Sequence, residues 1–266
     1  MGRPIYKGPI APGALVDSLK PTTARNFPRF GVADFGGRSA GYNYLTRLGT
    51  LVAAWDFALG VTPVSGGVDS ILDQSGRGNT LTAPAATNRP TYNTSDADFN
   101  GQPCGQGDGT DDGIRKASIS MGAAFAPGTT LVVGKIVSSV AGRTWLSLGT
   151  TNTMVRENAG NLMEALQGTA VRVSTTTFAA RAHVIGLVSD GSSVQLYVDG
   201  TAQGTSTAYT GTTADGSSVG LFSRSDSPAI TPASCKIAFA AISLSALTPQ
   251  QMADFATYAR ARWGTP

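Results

Sequence analysis

Glu157 and Glu164 are the only glutamates of the chain, and His183 is its only histidine. The two glutamates stand seven residues apart around Asn158-Ala159-Gly160-Asn161. A turn there would bring them across a hairpin, and carboxylates about 5 Å apart suit a retaining glycosidase. No third acidic group or aromatic cluster adjoins them in sequence, so the plainer reading is a pair of exposed hairpin charges. His183 sits in an apolar run, and no Gly-x-Ser-x-Gly elbow accompanies it, so packing at the core or an edge is the expected role and no triad is assigned. No residue is assigned as catalytic.

Two other constellations offer chemistry. Asp73, Asn79, Asp108, Asp111 and Asp112 are hard oxygen donors in turn-rich stretches, the kind of set that holds Ca²⁺. Asp and Asn before Gly also stabilise turns through their own backbone, and the reading adopted is structural: no cofactor, with calcium at Asp73, Asp108, Asp111 and Asp112 as the alternative. Sugar binding needs an accessible aromatic with amides beside it. Trp55, Trp145 and Trp263 lie inside strand or helix patterns and are expected in the core, whereas Tyr92, Asn93, Asn152, Asn158 and Tyr209 fall in expected loops and form the candidate ligand-binding set.

These residues must be positioned by short strands. From Leu51 onward, runs that alternate or are wholly apolar are bounded by turn residues: 51–57, 130–137, 143–148, 170–174, 183–188, 194–198, 219–222 and 236–244. Asp190-Gly191 between two of these runs supplies the positive φ of a tight hairpin, and Asp199-Gly200 offers another. One helix is legible at the C-terminus, where Thr248, Pro249 and Gln251 spell a capping box. Met252, Phe255, Ala256, Ala259 and Trp263 then share a face before Gly264 stops the helix. Only 14% of the residues are charged and 33 are glycine, a composition of strands and turns. Cys104 and Cys235 lie far apart in no metal spacing; two buried thiols are favoured over one bridge.

The first part of the chain reads differently. Met1 to Arg47 carries seven basic residues against two acidic ones, with five prolines and no sustained period. The expectation is an extended basic arm over residues 1–48 and a sandwich over 49–266. Apolar groups such as Tyr6 and Phe27 must be buried somewhere, so the arm reads as an anchor, with Arg3, Tyr6, Lys7, Arg25, Phe27 and Arg29 as its contacts. The scattered charges come with no nucleic-acid recognition module, and an acidic protein surface suits them better. No apolar segment spans a bilayer and no signal peptide is evident, so membrane insertion and secretion are not expected.

Five stretches resemble the laminin-G-like jelly rolls of the concanavalin A-like lectin and glucanase superfamily. They are Ala53 to Phe57; Leu72 to Asn79, similar to a "D-S-G-x-G-N" turn; Asp108 to Ile114, similar to "F-D-G-x-D-D-Y-I" with Gly113 in the aromatic's place; and His183 to Gly200 with Phe239 to Trp263. The resemblance covers Leu51 to Gly264 and implies an all-β, two-sheet antiparallel jelly-roll sandwich with one C-terminal helix and an extended N-terminal arm. The E-x-D-x-x-E signature of the related glucanases is absent. The resemblance further implies a structural and adhesion protein of a virion or phage-like particle, in head or tail. Such a protein would be made in the host cytoplasm, joined to other virion proteins by its arm, homo-oligomeric, and in contact with host-surface polysaccharide. The alternatives are a glycan-active hydrolase and a decoration protein without a ligand.

Overall fold

The structure is a computed structural model that describes residues 45–149, 153–168, 170–178, 180–209, 211–226 and 231–266. The anchoring candidates Arg3, Tyr6, Lys7, Arg25, Phe27 and Arg29, and the ligand candidate Asn152, lie outside the described residues. The strands are β1 (Leu51–Asp56), β2 (Val61–Val64), β3 (Gly67–Ile71), β4 (Leu81–Thr82), β5 (Thr91–Asn93), β6 (Cys104–Gln106), β7 (Ile114–Lys116), β8 (Gly128–Ser138) and β9 (Thr144–Leu148). They continue as β10 (Thr153–Asn158), β11 (Leu162–Gln167), β12 (Ala170–Thr177), β13 (His183–Ser189), β14 (Ser193–Val198), β15 (Thr201–Ala202), β16 (Thr207–Ala208), β17 (Val219–Leu221) and β18 (Ser234–Ser243), and the chain closes on helix α1 (Pro249–Trp263).

All pairings are antiparallel. One sheet runs β14-β13-β8-β18-β1 and the other β4-β7-β17-β9-β10-β11-β12, with β6, β5 and β3 linking their margins. This is the all-β sandwich that the strand pattern led us to expect. Between the sheets lie Trp55, Trp145, Phe57 and Phe222, all fully buried. Phe57 and Phe222 meet edge-on with centroids 6.0 Å apart, a favoured aromatic geometry.

The first sheet is covered on its other face as well. Leu131 and Val133 of β8, Val184 of β13 and Phe239 of β18 pack against Met252, Phe255 and Trp263 of α1. Strands buried on both sides read as unbroken apolar runs, which is why β13 is buried at every residue. The helix forms as its capping box dictates: Thr248 Oγ1 accepts from the Gln251 N–H at 3.2 Å, the Gln251 side chain accepts from the Thr248 N–H at 2.8 Å, and Gly264 takes the left-handed C-terminal position. No described helix is long and apolar enough to cross a membrane.

Both hairpin turns form. Asp190 accepts from the Ser192 and Ser193 N–H groups, and hydrogen bonds of this kind, Ser192's backbone first, hold its carboxyl down at about 2. Asp199 and Gly200 adopt φ of 48° and 78°, both positive as a type I′ turn requires. The Asp199 carboxylate also reaches back, accepting from the Val184 N–H at 2.9 Å and lying 2.6 Å from His183 Nδ1. His183 is buried against the Phe178 ring, so it ties a turn to a strand, in keeping with the packing role read from the sequence. Cys104 and Cys235 are both free and buried, and burial pushes the Cys104 thiol up to about 12.

Candidate functional site

The glutamate pair is the first candidate that the structure corrects. Glu157 and Glu164 are not exposed hairpin charges; they are 0% and 8% exposed. They do lie on adjacent strands, but Glu157 pairs with Met163 and Glu164 with Arg156. Because side chains alternate along a strand, this register sends the two carboxylates to opposite faces of the sheet. Glu157 faces the core, where Oε1 accepts from the Trp145 indole N–H at 3.0 Å and Oε2 from the Val140 N–H at 2.9 Å. Burial raises its pKa, and those hydrogen bonds with the charge of Arg143 oppose the rise. Glu164 stands on the other face in an ion pair with Arg156, and accepts from Asn158 Nδ2 at 2.7 Å. No sugar ring can sit between these two groups.

Asp73 and Asn79 serve the edge of the sheet. The Asp73 carboxylate accepts from the N–H groups of Ala54, Ser75 and Asn79 and from the Ser75 hydroxyl, at 2.7–3.0 Å. Asn79 donates to the carbonyls of Val52 and Ser120, while its own carbonyl accepts from the Trp55 indole N–H. The turn that resembles "D-S-G-x-G-N" therefore satisfies backbone groups along β1 and anchors Trp55. Asp73 does not join the other acidic residues.

Asp108, Asp111 and Asp112 do converge, with carboxylate oxygens within 4.8 Å of one another. Asp108 Oδ1 accepts from the Thr110 and Asp111 N–H groups, and Asp112 Oδ2 from the Asp108 N–H, as turn-stabilising carboxylates do. Burial, then the charges of Asp108 and Asp111, lifts the Asp112 carboxyl to about 7. Protonation of Asp112 is one way for the cluster to relieve this repulsion. A carboxyl whose folded pKa is raised gives stability that is complete below about 4 and lost as the pH climbs through about 7. We expect melting temperature to fall over that window, and Asp112→Asn to flatten the fall. A calcium-dependent rise in melting temperature that Asp111→Ala abolishes would instead mark the cluster as a cation site.

Asp108 also borders a surface pocket of about 190 Å³, lined by Asp108, Gly109, Ser138, Val140, Arg143, Pro232 and Ser234. The Arg143 side chain makes no hydrogen bond or ion pair to a described residue, beyond its through-space pull on Glu157. Glu157 builds the wall that carries it: besides the carboxylate bond to Val140, its backbone exchanges hydrogen bonds with Gly142 and Arg143. The pocket thus combines one cation, one carboxylate, two hydroxyls and the apolar surfaces of Val140 and Pro232. Arg143, Ser138 and Ser234 escaped the sequence reading, because nothing local connects positions so far apart in the chain.

The amide and aromatic candidates scatter. Tyr92 and Asn93 are not in a loop but form β5; the Tyr92 hydroxyl donates to the Phe57 carbonyl at 3.0 Å and Asn93 Nδ2 faces Gln106 Oε1 at 3.4 Å. Asn158 ends β10, bound to Glu164 and to the Ala159 N–H. Tyr209 is half-buried beside the core.

The sequence matches no family model and no curated protein. Among solved structures, the ligand-binding domain of botulinum neurotoxin serotype D, in complex with N-acetylneuraminic acid, aligns with a TM-score of 0.59 at 10% identity, over 85% of this chain and 56% of that one. Domain 4 of an extracellular arabinanase from Geobacillus stearothermophilus, in complex with arabinotriose, aligns at 0.51 and 16% identity, over 78% of this chain and 98% of the domain. The chain shares their β-sandwich fold. A sialidase from Trypanosoma rangeli aligns at 0.55 and 13% identity over 77% of this chain, which spans only 32% of the enzyme's length. The set therefore mixes binding domains with a segment of an enzyme, and at such identities the likeness concerns fold.

Proposed function

We propose that the sandwich is a glycan-binding module without a catalytic role. In this reading the N-terminal arm carries it on a larger assembly, as a structural and adhesion component of a virion or phage-like particle. The observation that carries the glycan reading is the pocket at Arg143. A guanidinium with no hydrogen-bond or ion-pair partner among the described residues, a carboxylate and two serine hydroxyls surround a volume below the roughly 300–1,000 Å³ of drug-sized ligands, which suits a single sugar ring. Arginine donates to ring hydroxyls, Asp108 accepts from them, and Val140 and Pro232 offer apolar contact. The sugars bound by the botulinum and arabinanase domains favour the same ligand class. The hydrolase alternative loses support because Glu157 is sealed in the core and Glu164 is engaged on the opposite face.

Support for the particle role comes from the arm's basic and apolar composition, and one weak site per copy gains useful avidity only when several copies act together. One experiment separates the two halves of the reading. Arg143→Ala is expected to weaken saccharide binding at its pocket about tenfold or more with an unchanged melting temperature. Removing residues 1–44 is expected to leave saccharide binding intact and abolish incorporation into the particle. A wild-type chain that binds no saccharide would leave the ligand-free decoration reading in its place.

A further inference from the structure

We propose that the sugar unit bound in the Arg143 pocket is zwitterionic, with a carboxylate toward Arg143 and an ammonium toward Asp108, as in an aminouronic acid. This names the ligand class of the glycan-binding reading above and rests on it.

The pocket is built around one cross-strand pair. Ser234 opens β18 and lies opposite Ser138, the last residue of β8. Gly109 packs so close to Ser234 that a Cβ on it would lie 3.0 Å from the serine Cβ, which brings the neighbouring Asp108 to the rim. On the other strand the chain leaves Ser138 and turns through Val140 to Arg143. The carboxylate thus enters beside Ser234 and the guanidinium on the loop that follows Ser138, with the apolar surfaces of Val140 and Pro232 in the same lining.

Both charges are held in place by bonds of their own segments. Asp108 Oδ1 accepts from the Thr110 and Asp111 N–H groups, which fixes it over its turn. The Arg143 loop is fastened from inside: the Arg143 N–H reaches the Val140 carbonyl, the Arg143 carbonyl accepts from the Glu157 N–H, and Glu157 Oε2 accepts from the Val140 N–H. So held, Asp108 and Arg143 make no ion pair with each other or with another described residue, although they border one cavity. Opposite charges arranged in this way are complementary to a ligand that carries both.

The sign of the ligand charge follows from the neighbours. A purely anionic sugar would pair with the Arg143 fork but meet the field of Asp108, Asp111 and Asp112, whose carboxylate oxygens lie within 4.8 Å of one another. A purely cationic sugar would ease that repulsion and leave Arg143 unanswered. In 2-amino-2-deoxyglucuronic acid the amine and the carboxylate project from different positions of one pyranose, so a single ring answers both groups while its C–H surface meets Val140 and Pro232.

Four sugars test this on the full chain by calorimetric or ligand-observed NMR titration. They are 2-amino-2-deoxyglucuronic acid with both charges, its N-acetylated form with the carboxylate alone, glucosamine with the ammonium alone, and N-acetylglucosamine with neither. The first is expected to bind about fivefold or more tighter than either singly charged sugar, with N-acetylglucosamine the weakest. Arg143→Ala should cancel the advantage of the carboxylate and keep that of the ammonium. Asp108→Asn should do the reverse; it retains the oxygen used by the Thr110 and Asp111 N–H groups, so the turn and the melting temperature should be unchanged. Any of the other three sugars binding as tightly as the aminouronic acid overturns the zwitterion assignment and leaves the glycan reading standing. A ranking that neither substitution alters overturns it as well, because the charges are then read elsewhere. A wild-type chain that binds none of the four overturns it too, and one that binds no other saccharide either overturns the glycan reading with it.

Discussion

Replacing Arg262 with alanine is expected to cost about 3–5 kcal/mol of folding stability, because it leaves the Asp56 carboxylate buried without its counter-charge. Asp56 is 3% exposed at the end of β1, and Arg262 in the last turn of α1 reaches it at 2.7 Å. The same guanidinium donates to the Tyr258 hydroxyl at 2.8 Å and lies 4.7 Å from the Trp263 ring centroid. It thus clamps the helix to the sheet. Burial already raises the Asp56 pKa, and Arg262 is the main opposing influence. With Arg262 gone the rise grows, so the penalty shrinks as the pH falls toward the carboxylate range and widens above it. Calorimetry near neutral pH should show a drop of roughly 6–20 °C in melting temperature. A drop within 2 °C would show that solvent reaches Asp56. Replacing both partners with apolar residues should recover much of the loss.

Asp73→Ala is expected to be nearly as damaging, at about 3 kcal/mol or more. One carboxylate serves four donors, and two of them, the N–H groups of Ala54 and Asn79, belong to the strand edge and to the turn that seals it. Removing a shared acceptor leaves each buried donor unsatisfied, which costs more than any one hydrogen bond contributes. A lower denaturant midpoint with faster amide exchange at Ala54 is the expected result. An unchanged midpoint would mean that the 73–79 turn does not hold the edge of β1.

Both effects bear on how far the sequence could be read. The doubly covered sheet was visible because β8, β13 and β18 must be apolar on both faces, and α1 because its capping residues are local. Strands β2 to β7 left little trace: most have two to five residues, and distant partners set their pairing. Tyr92 was placed in a loop for that reason. For Glu157 and Glu164, spacing put them near one another, but only the strand register separates their faces. The three-carboxylate cluster was legible because its members lie in one short turn of the chain, from Asp108 to Asp112, whereas Asp73 shares their residue type and serves another purpose. The Arg143 pocket was illegible, since it is defined by groups brought together from remote segments.

The helix that packs over the β14-β13-β8-β18-β1 sheet has a consequence for diversification. With the core on one side and α1 on the other, that sheet has no face left to contact a ligand. Contact with a ligand is therefore left to the outer face of the other sheet, where Val171 and Val173 are exposed, and to the two ends, where connecting loops meet water. End loops that satisfy no buried group can change in length or composition at small thermodynamic cost, because loop closure depends only weakly on length, whereas 138–143 is held by the Val140 N–H that bonds the buried Glu157 carboxylate. The molecule is in that sense a frame with exchangeable tips, and libraries built on those end loops should alter recognition while one melting behaviour is kept throughout.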